Sequence, residues 1–281
     1  MVIIADKVGQ LCNQLFQFSY FITNSIDNGY EIVNPYFDEY AQFFEATSTN
    51  SYFGYRISTK ITLFKIIDKF ILKYFLKVKP IFPNLVNLDI RGSEKNYYLQ
   101  SVEFKQNATQ KIVFVKGWLF KDDENLRKYR DVLLEIFKPK PKYNYEAKQN
   151  ILQLREKFDC IIGVHIRRGD YKTWNNGKYY FSDEIYLQKM IQLQNELELQ
   201  NKSCCFFICS NEPIDEVSFK NLNKSINTRH FIVDLYSLAN CDYIIGPPST
   251  FSLWAAFYGN IPFLIIENEN TEIRLNKFTY Y

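Results

Sequence analysis

Seven consecutive residues, His165-Ile-Arg-Arg-Gly-Asp-Tyr171, bring two guanidiniums, an imidazole, a carboxylate and a phenol into one short stretch. Guanidinium forks match phosphate oxygens two at a time, Asp170 can hold one Arg in place, and His165 can add a further hydrogen bond. The stretch begins where the apolar run Cys160-Ile-Ile-Gly-Val-His165 ends. Its charges therefore belong at the carboxyl end of a buried strand, where parallel sheets receive ligands. On residue types alone, a solvated loop with a surface salt bridge explains the same residues equally well. The embedded Arg-Gly-Asp triplet does not by itself indicate cell adhesion.

The elements around this stretch alternate. Val2 to Ala5 reads as a short buried strand, followed by a turn at Gly9 and a helix carrying Leu11, Leu15, Phe16, Phe18 and Phe21. Residues 34–56 are aromatic and irregular and are read as loop-rich. Over 60–79 the residues Lys65, Lys69, Lys73 and Lys77 recur every four positions opposite an apolar face, which predicts a basic amphipathic helix. Ile112 to Val115 before Gly117 reads as a strand. Lys138-Pro-Lys-Pro-Lys142 cannot continue a helix or sit in a central strand, so the linker between two domains, 1–142 and 143–281, is placed there. Beyond it come a helix over 145–157, the strand at 160–165, a helix over 183–200, a strand at 204–209, a short strand Phe231-Ile-Val233, a helical turn at 237–240, and strands at 243–245 and 263–266. Strands alternating with helices imply an α/β fold whose mostly parallel sheets are covered on both faces.

Composition narrows the function classes. A chain of 281 residues, 47% hydrophobic and 23% charged, is an ordinary globular mixture, and its length suggests two lobes. The formal charge of +3 is too small to support general nucleic-acid affinity. Six cysteines lack a CxxC pair or a nearby His, which indicates neither a zinc site nor a secreted disulfide framework. The apolar start is shorter than a signal-peptide core and no run approaches a membrane span, so the expectation is a cytoplasmic protein. Sequons at Asn107, Asn201 and Asn223 would carry meaning only after secretion. The basic helix over 60–79 could rest on the inner face of an anionic membrane, where lipid-linked acceptors are found; the simpler reading packs it on the N-terminal lobe with its lysines in water.

His165-Ile-Arg-Arg-Gly-Asp-Tyr171 resembles the signature of the α-1,2-fucosyltransferases, glycosyltransferase family 11. Gly9-Gln-Leu-Cys-Asn-Gln-Leu-Phe-Gln-Phe18, Phe206-Phe-Ile-Cys-Ser-Asn-Glu212 and Ile244-Ile-Gly-Pro-Pro-Ser-Thr-Phe-Ser-Leu-Trp-Ala-Ala256 resemble three further blocks of that family, in the same order. The resemblance implies a GT-B-like protein of two Rossmann-like lobes, an N-terminal acceptor lobe and a C-terminal donor lobe with a cleft between them. It implies transfer of fucose from GDP-fucose to a glycan, with inversion and without a bound metal or other cofactor.

Carried over by position, Arg167 becomes the essential diphosphate ligand, supported by His165, Arg168, Asp170 and Tyr171. Ser249, Thr250, Phe251 and Ser252 would add hydroxyls and backbone N–H groups at a strand-to-helix turn; an N-cap that only starts the helix is the competing reading. Ser210 and Asn211 would bind the donor, and Glu212 and Asp234 could reach its nucleobase or ribose, a structural strand-end carboxylate being the competing reading; Gln10, Asn13 and Gln14 would face the reacting sugar, against the simpler reading of polar surface positions on the first helix. Asp6, near the end of the first strand, is the candidate general base. The sequence has no Asp-x-Asp element for a metal on the diphosphate. Cys12 stands where the family has a glycine, Pro247-Pro248 replaces a polar pair, and Leu253 and Ala255 replace a Trp and a Gly. These departures leave open another nucleotide sugar, or a silent nucleotide- or glycan-binding protein.

Overall fold

Short β-rich apolar runs become parallel strands here, and the longer amphipathic segments between them become covering helices. The computed structural model describes residues 1–59, 84–226 and 229–281. The basic helix expected over 60–79 lies outside the described residues. The chain divides into two compact units, Met1–Lys140 and Pro141–Tyr281. Pro141 starts the helix Pro141–Arg155, where the reading from sequence had only a break. A proline's missing N–H costs nothing at the first position of a helix.

In the first unit, strands β1 (Val2–Ile4), β2 (Ile32–Val33), β3 (Ile57–Ser58), β4 (Leu85–Asp89) and β6 (Ile112–Lys116) form one parallel sheet in the order β3-β2-β1-β6-β4. β5 (Tyr97–Tyr98) and β7 (Phe120–Lys121) make a separate parallel pair. The helix Leu11–Asn28 is buried over most of its length and closes on Gly29, whose φ of 73° suits a left-handed cap. The stretch 34–56, read as loop-rich, contains a 3-10 turn Pro35–Phe37 and the short helices Asp38–Ala41 and Glu45–Thr49. Tertiary packing imposes them: Phe37 and Phe44 stack on each other and meet Phe137 edge-on, both centroids 5.7 Å away.

In the second unit, β8 (Cys160–Ile166), β9 (Cys204–Ser210), β10 (Lys224–Ile226), β11 (Tyr243–Gly246) and β12 (Phe263–Ile265) form a parallel sheet in the order β10-β9-β8-β11-β12. β8 is buried along its whole length because both faces are covered. On one face Ile162, Val164 and Ile166 join Met190, Leu193 and Leu197 of the helix Asp183–Glu198. On the other, a side chain at Gly163 would come within 2.6 Å of Leu238, so helix Phe231–Leu238 lies directly on the strand. The strand expected at Phe231–Val233 is the first turn of that helix. Every residue from Ile232 to Leu238 is buried, which hides the helical period, and His230 caps it by accepting from the Ile232 N–H at 3.2 Å.

Each sheet grows to one side and then switches. β1 is followed by β2 and β3, and the later β4 and β6 fill its other side; β8 is followed by β9 and β10, then β11 and β12 fill the other side. The connecting loops diverge between β1 and β6 and between β8 and β11. Crevices at the carboxyl ends of such strand pairs are where open parallel sheets bind ligands.

Candidate functional site

The β8–β11 crevice holds the charged stretch found in the sequence. His165, the penultimate residue of β8, is buried, and its Nδ1 is 2.8 Å from the Ser252 hydroxyl. Its ring centre lies 4.9 Å from that of Phe251. Burial, aided by the charge of Arg167, pushes the imidazole down to about 3, so it is neutral at ordinary pH. Gly246 on β11 leaves the room for this contact: a Cβ there would sit 2.9 Å from the His165 carbonyl and 3.4 Å from Ser252 Oγ.

Arg167 leaves the end of β8 with Nη2 2.8 Å from Asp170 Oδ1 and its guanidinium 5.5 Å from the Tyr171 ring centre. Asp170 is 55% exposed, so this pair adds little stability; it orients the guanidinium. Tyr171 is buried and donates to the Pro248 carbonyl, which ties the loop after β8 to the loop after β11. Trp174 stacks on Tyr171 at 4.8 Å and on Tyr179 at 5.4 Å.

Arg168 requires a correction. Expected beside Arg167 at the diphosphate, its guanidinium is turned inward, where it donates to the Phe181 carbonyl and pairs with Asp183. It also lies over the rings of Tyr180 and Tyr186, at 5.2 and 5.6 Å. The two arginines part company because successive residues of an extended chain point to opposite sides. Arg168 is therefore a clamp for the loop. Phe181 and Asp183 were missed in the sequence; the aromatic run Tyr179-Tyr180-Phe181 ahead of a helix start was the available signal.

Loops after the neighbouring strands complete the crevice. Asn211 accepts from the Arg168 backbone N–H at 2.7 Å, and its amide lies where a Cβ on Gly169, φ 60°, would meet it. Ser210 accepts from the Glu212 N–H at 3.3 Å. Ser249 caps the helix Thr250–Gly259, accepting from the Phe251 N–H at 3.3 Å. The capping reading is thus correct for Ser249, and the helix start aims its first-turn N–H groups, which lack intrahelical acceptors, at the loop region. Ser252 is fully buried on His165.

Asp234 sits on the first turn of helix Phe231–Leu238 rather than at a strand end. Arg229 lies 3.7 Å from it, stacks over Phe207 at 4.3 Å and donates to Ser225. Burial pushes the Asp234 carboxyl up to about 7 against the pull of Arg229, and the same burial lowers Arg229. Oδ1 of Asp234 is buried without a hydrogen-bond partner. The Asp234 charge is felt by Cys209, which is the register partner of His165 on β9. Asp234 and His165 therefore share one face of the sheet.

In the first unit, Gln10 is exposed at the start of helix Leu11–Asn28, and Asn13 packs on Gly9, φ 50°. A Cβ on Gly9 would lie 2.1 Å from the Asn13 amide nitrogen, so this turn needs glycine. Gln14 is corrected: it is buried, with Nε2 donating to the Gly9 carbonyl at 3.4 Å, and does not face outward toward a sugar. Cys12 is buried within the helix; the left-handed residue is Gly9 instead. Asp6 accepts from the Gly117 N–H at 3.0 and 3.3 Å, and burial holds its carboxyl above the ordinary range. Among the described residues, no cluster of three or more His, Cys, Asp or Glu could hold a metal ion, and no helix is long and apolar enough to cross a membrane.

Comparison with known proteins adds two findings. The sequence model of glycosyl transferase family 11 matches residues 8–273. No curated protein matches the chain by sequence. Among solved structures, a mutant of Arabidopsis thaliana FUT1 in complex with GDP superposes with a TM-score of 0.62 at 12% identity, covering 99% of this chain and 72% of that one. The fucosyltransferase NodZ from Bradyrhizobium gives 0.56 at 14% identity, covering 96% of both chains. POFUT1 in complex with GDP-fucose gives 0.54 at 12% identity, covering 92% of this chain and 93% of its own. At these identities the likeness shows a shared fold, α/β with mostly parallel sheets and GT-B-like.

Proposed function

The chain belongs to glycosyl transferase family 11, and from that premise we propose that it transfers fucose from GDP-fucose to a glycan hydroxyl, with inversion and in an α-1,2 linkage. The observation that carries this reading is the β8–β11 crevice: a guanidinium oriented by Asp170, a neutral imidazole held by Ser252, and a helix N-terminus capped by Ser249. All three favour a bound diphosphate, and GDP or GDP-fucose occupies solved relatives of this fold.

In the proposed reaction the acceptor oxygen bonds to the anomeric carbon of fucose while the bond from that carbon to the β-phosphate oxygen breaks, its electron pair leaving with GDP. Arg167 and the first-turn N–H groups of helix Thr250–Gly259 stabilise the charge that builds on the diphosphate. With the Ser252 O–H donating to Nδ1, His165 keeps Nε2–H for a phosphate oxygen. Arg168 takes no part in this contact and holds the loop. The Asp234 carboxyl, ion-paired with Arg229, would accept from the adjacent N–H donors of guanine, which uracil and thymine cannot match as a pair. Positive charge is supplied by the protein, so transfer is proposed to need no metal and to persist in chelator.

Calorimetric titration with GDP, GDP-fucose, UDP and dTDP in chelator tests the reading, repeated on Arg167→Ala. GDP binding that the substitution removes supports it. A preference for UDP or dTDP would keep the fold and overturn the donor. Binding of GDP-fucose without turnover over a panel of glycans would overturn transfer in favour of a silent binding protein.

A further inference from the structure

Single exposed apolar side chains are common and need no explanation. Trp118 differs by position. It is 61% exposed at the carboxyl end of β6, beside the switch between β1 and β6, the crevice of the first unit that corresponds to the diphosphate crevice of the second. The segment carrying it is pinned on both sides. The Gln17 amide, buried, donates to the Gly117 carbonyl at 2.6 Å, and the Tyr97 N–H donates to the Leu119 carbonyl at 2.8 Å. Phe120, two residues on, is fully buried. Gly117 has φ 105°, and a Cβ there would lie 2.6 Å from Ile90, so only glycine allows this path. The chain thus builds a rigid turn whose one bulky side chain is left in water, and the same Gly117 whose N–H holds Asp6 immediately precedes it.

We propose that Trp118 and Asp6 form an acceptor subsite within the first unit, the indole carrying the apolar face of a pyranose ring and the Asp6 carboxylate accepting a hydrogen bond from one of its hydroxyls. The proposal deepens the transferase reading and rests on it. A pyranose offers a patch of C–H groups on one face and hydroxyls round its rim, and a flat indole beside a carboxylate acceptor matches both. Asp6 is anchored by a backbone N–H and is half-buried, which fixes its carboxylate as an acceptor.

The test uses the full chain with GDP-fucose and the methyl glycoside that wild type fucosylates best from a panel of β-galactoside, β-glucoside and β-N-acetylglucosaminide. Trp118→Ala should raise the acceptor KM about tenfold or more, as loss of roughly 1.4 kcal/mol of stacking requires. The donor KM, GDP affinity and Tm should stay near wild type, and Trp118→Phe should recover most of the acceptor affinity. Asp6→Asn should raise the acceptor KM about tenfold while GDP affinity stays near wild type. An unchanged acceptor KM in Trp118→Ala, or parallel losses of GDP binding and Tm, would overturn the subsite while leaving the transferase reading standing. Wild type that binds GDP and fucosylates no glycoside would overturn both.

Discussion

The imidazole of His165 and the hydroxyl of Ser252 meet at 2.8 Å although 87 positions separate them, and this contact joins the end of β8 to the helix that follows β11. It spans the switch point of the sheet, so it fixes the two walls of the crevice relative to each other. Ser252→Ala would leave a buried ring nitrogen unpaired and should cost about 1–3 kcal/mol in urea unfolding. The folded His165 is held near 3, below its ordinary 6.5. Its share of stability is therefore intact above pH 6.5 and lost as pH falls toward 3, and His165→Asn should flatten that part of the acid unfolding curve.

Arg167 should dominate affinity for the diphosphate. Arg167→Ala is expected to weaken GDP binding by about 100-fold, while Arg167→Lys, which keeps the charge without the fork, should lose about tenfold. Isothermal calorimetry measures both. Equal affinities for the two variants and wild type would remove the guanidinium from the site.

Arg168 should behave oppositely. Arg168→Ala strips the buried partner from Asp183 and the Phe181 carbonyl, and is expected to lower unfolding free energy by about 3 kcal/mol. Molecules that remain folded should bind GDP within about threefold of wild type, since a loop-holding residue acts on geometry only through stability. A thermal melt beside a titration at low temperature separates the two effects.

Asp234 should make donor binding depend on pH. A carboxyl raised from 3.8 to about 7 in the folded chain contributes stability that is present below about pH 4 and lost as pH rises through 7. Guanine donors need the ionised form, so binding should strengthen as pH rises through about 7. GDP-fucose is the ligand to titrate, because its substituted diphosphate lacks the ionisation near pH 6 of a terminal phosphate. Asp234→Asn should abolish the dependence and narrow the preference for GDP over UDP.

Gly246→Ala tests the walls of the crevice. The added methyl would meet the His165 carbonyl at 2.9 Å and press on Ser252 at 3.4 Å. A loss of about 1–3 kcal/mol is expected, read by urea unfolding, with weakened GDP affinity as the His165 contact shifts.

The sequence by itself determined the alternation of buried strands and helices in 141–281, the position of Arg167 at a strand end, and the helix start at Ser249. These follow from local causes: a run of apolar residues, a change of period, a capping side chain. The tertiary structure decided where side chains point. Arg167 and Arg168 are adjacent and chemically equal, yet one orients on Asp170 at the loop and the other is drawn in by Asp183 and a carbonyl. Gln14, polar in an apolar helix, turns its amide nitrogen back on the Gly9 carbonyl. Helix Phe231–Leu238 was unreadable because burial on every side erased its stripe, and β2, β3 and β10 were too short to show a period. The neighbours of β1 and β8, and so the two crevices, depend on strand pairings made between residues far apart in the chain, and no local pattern encodes which strand will arrive on which side.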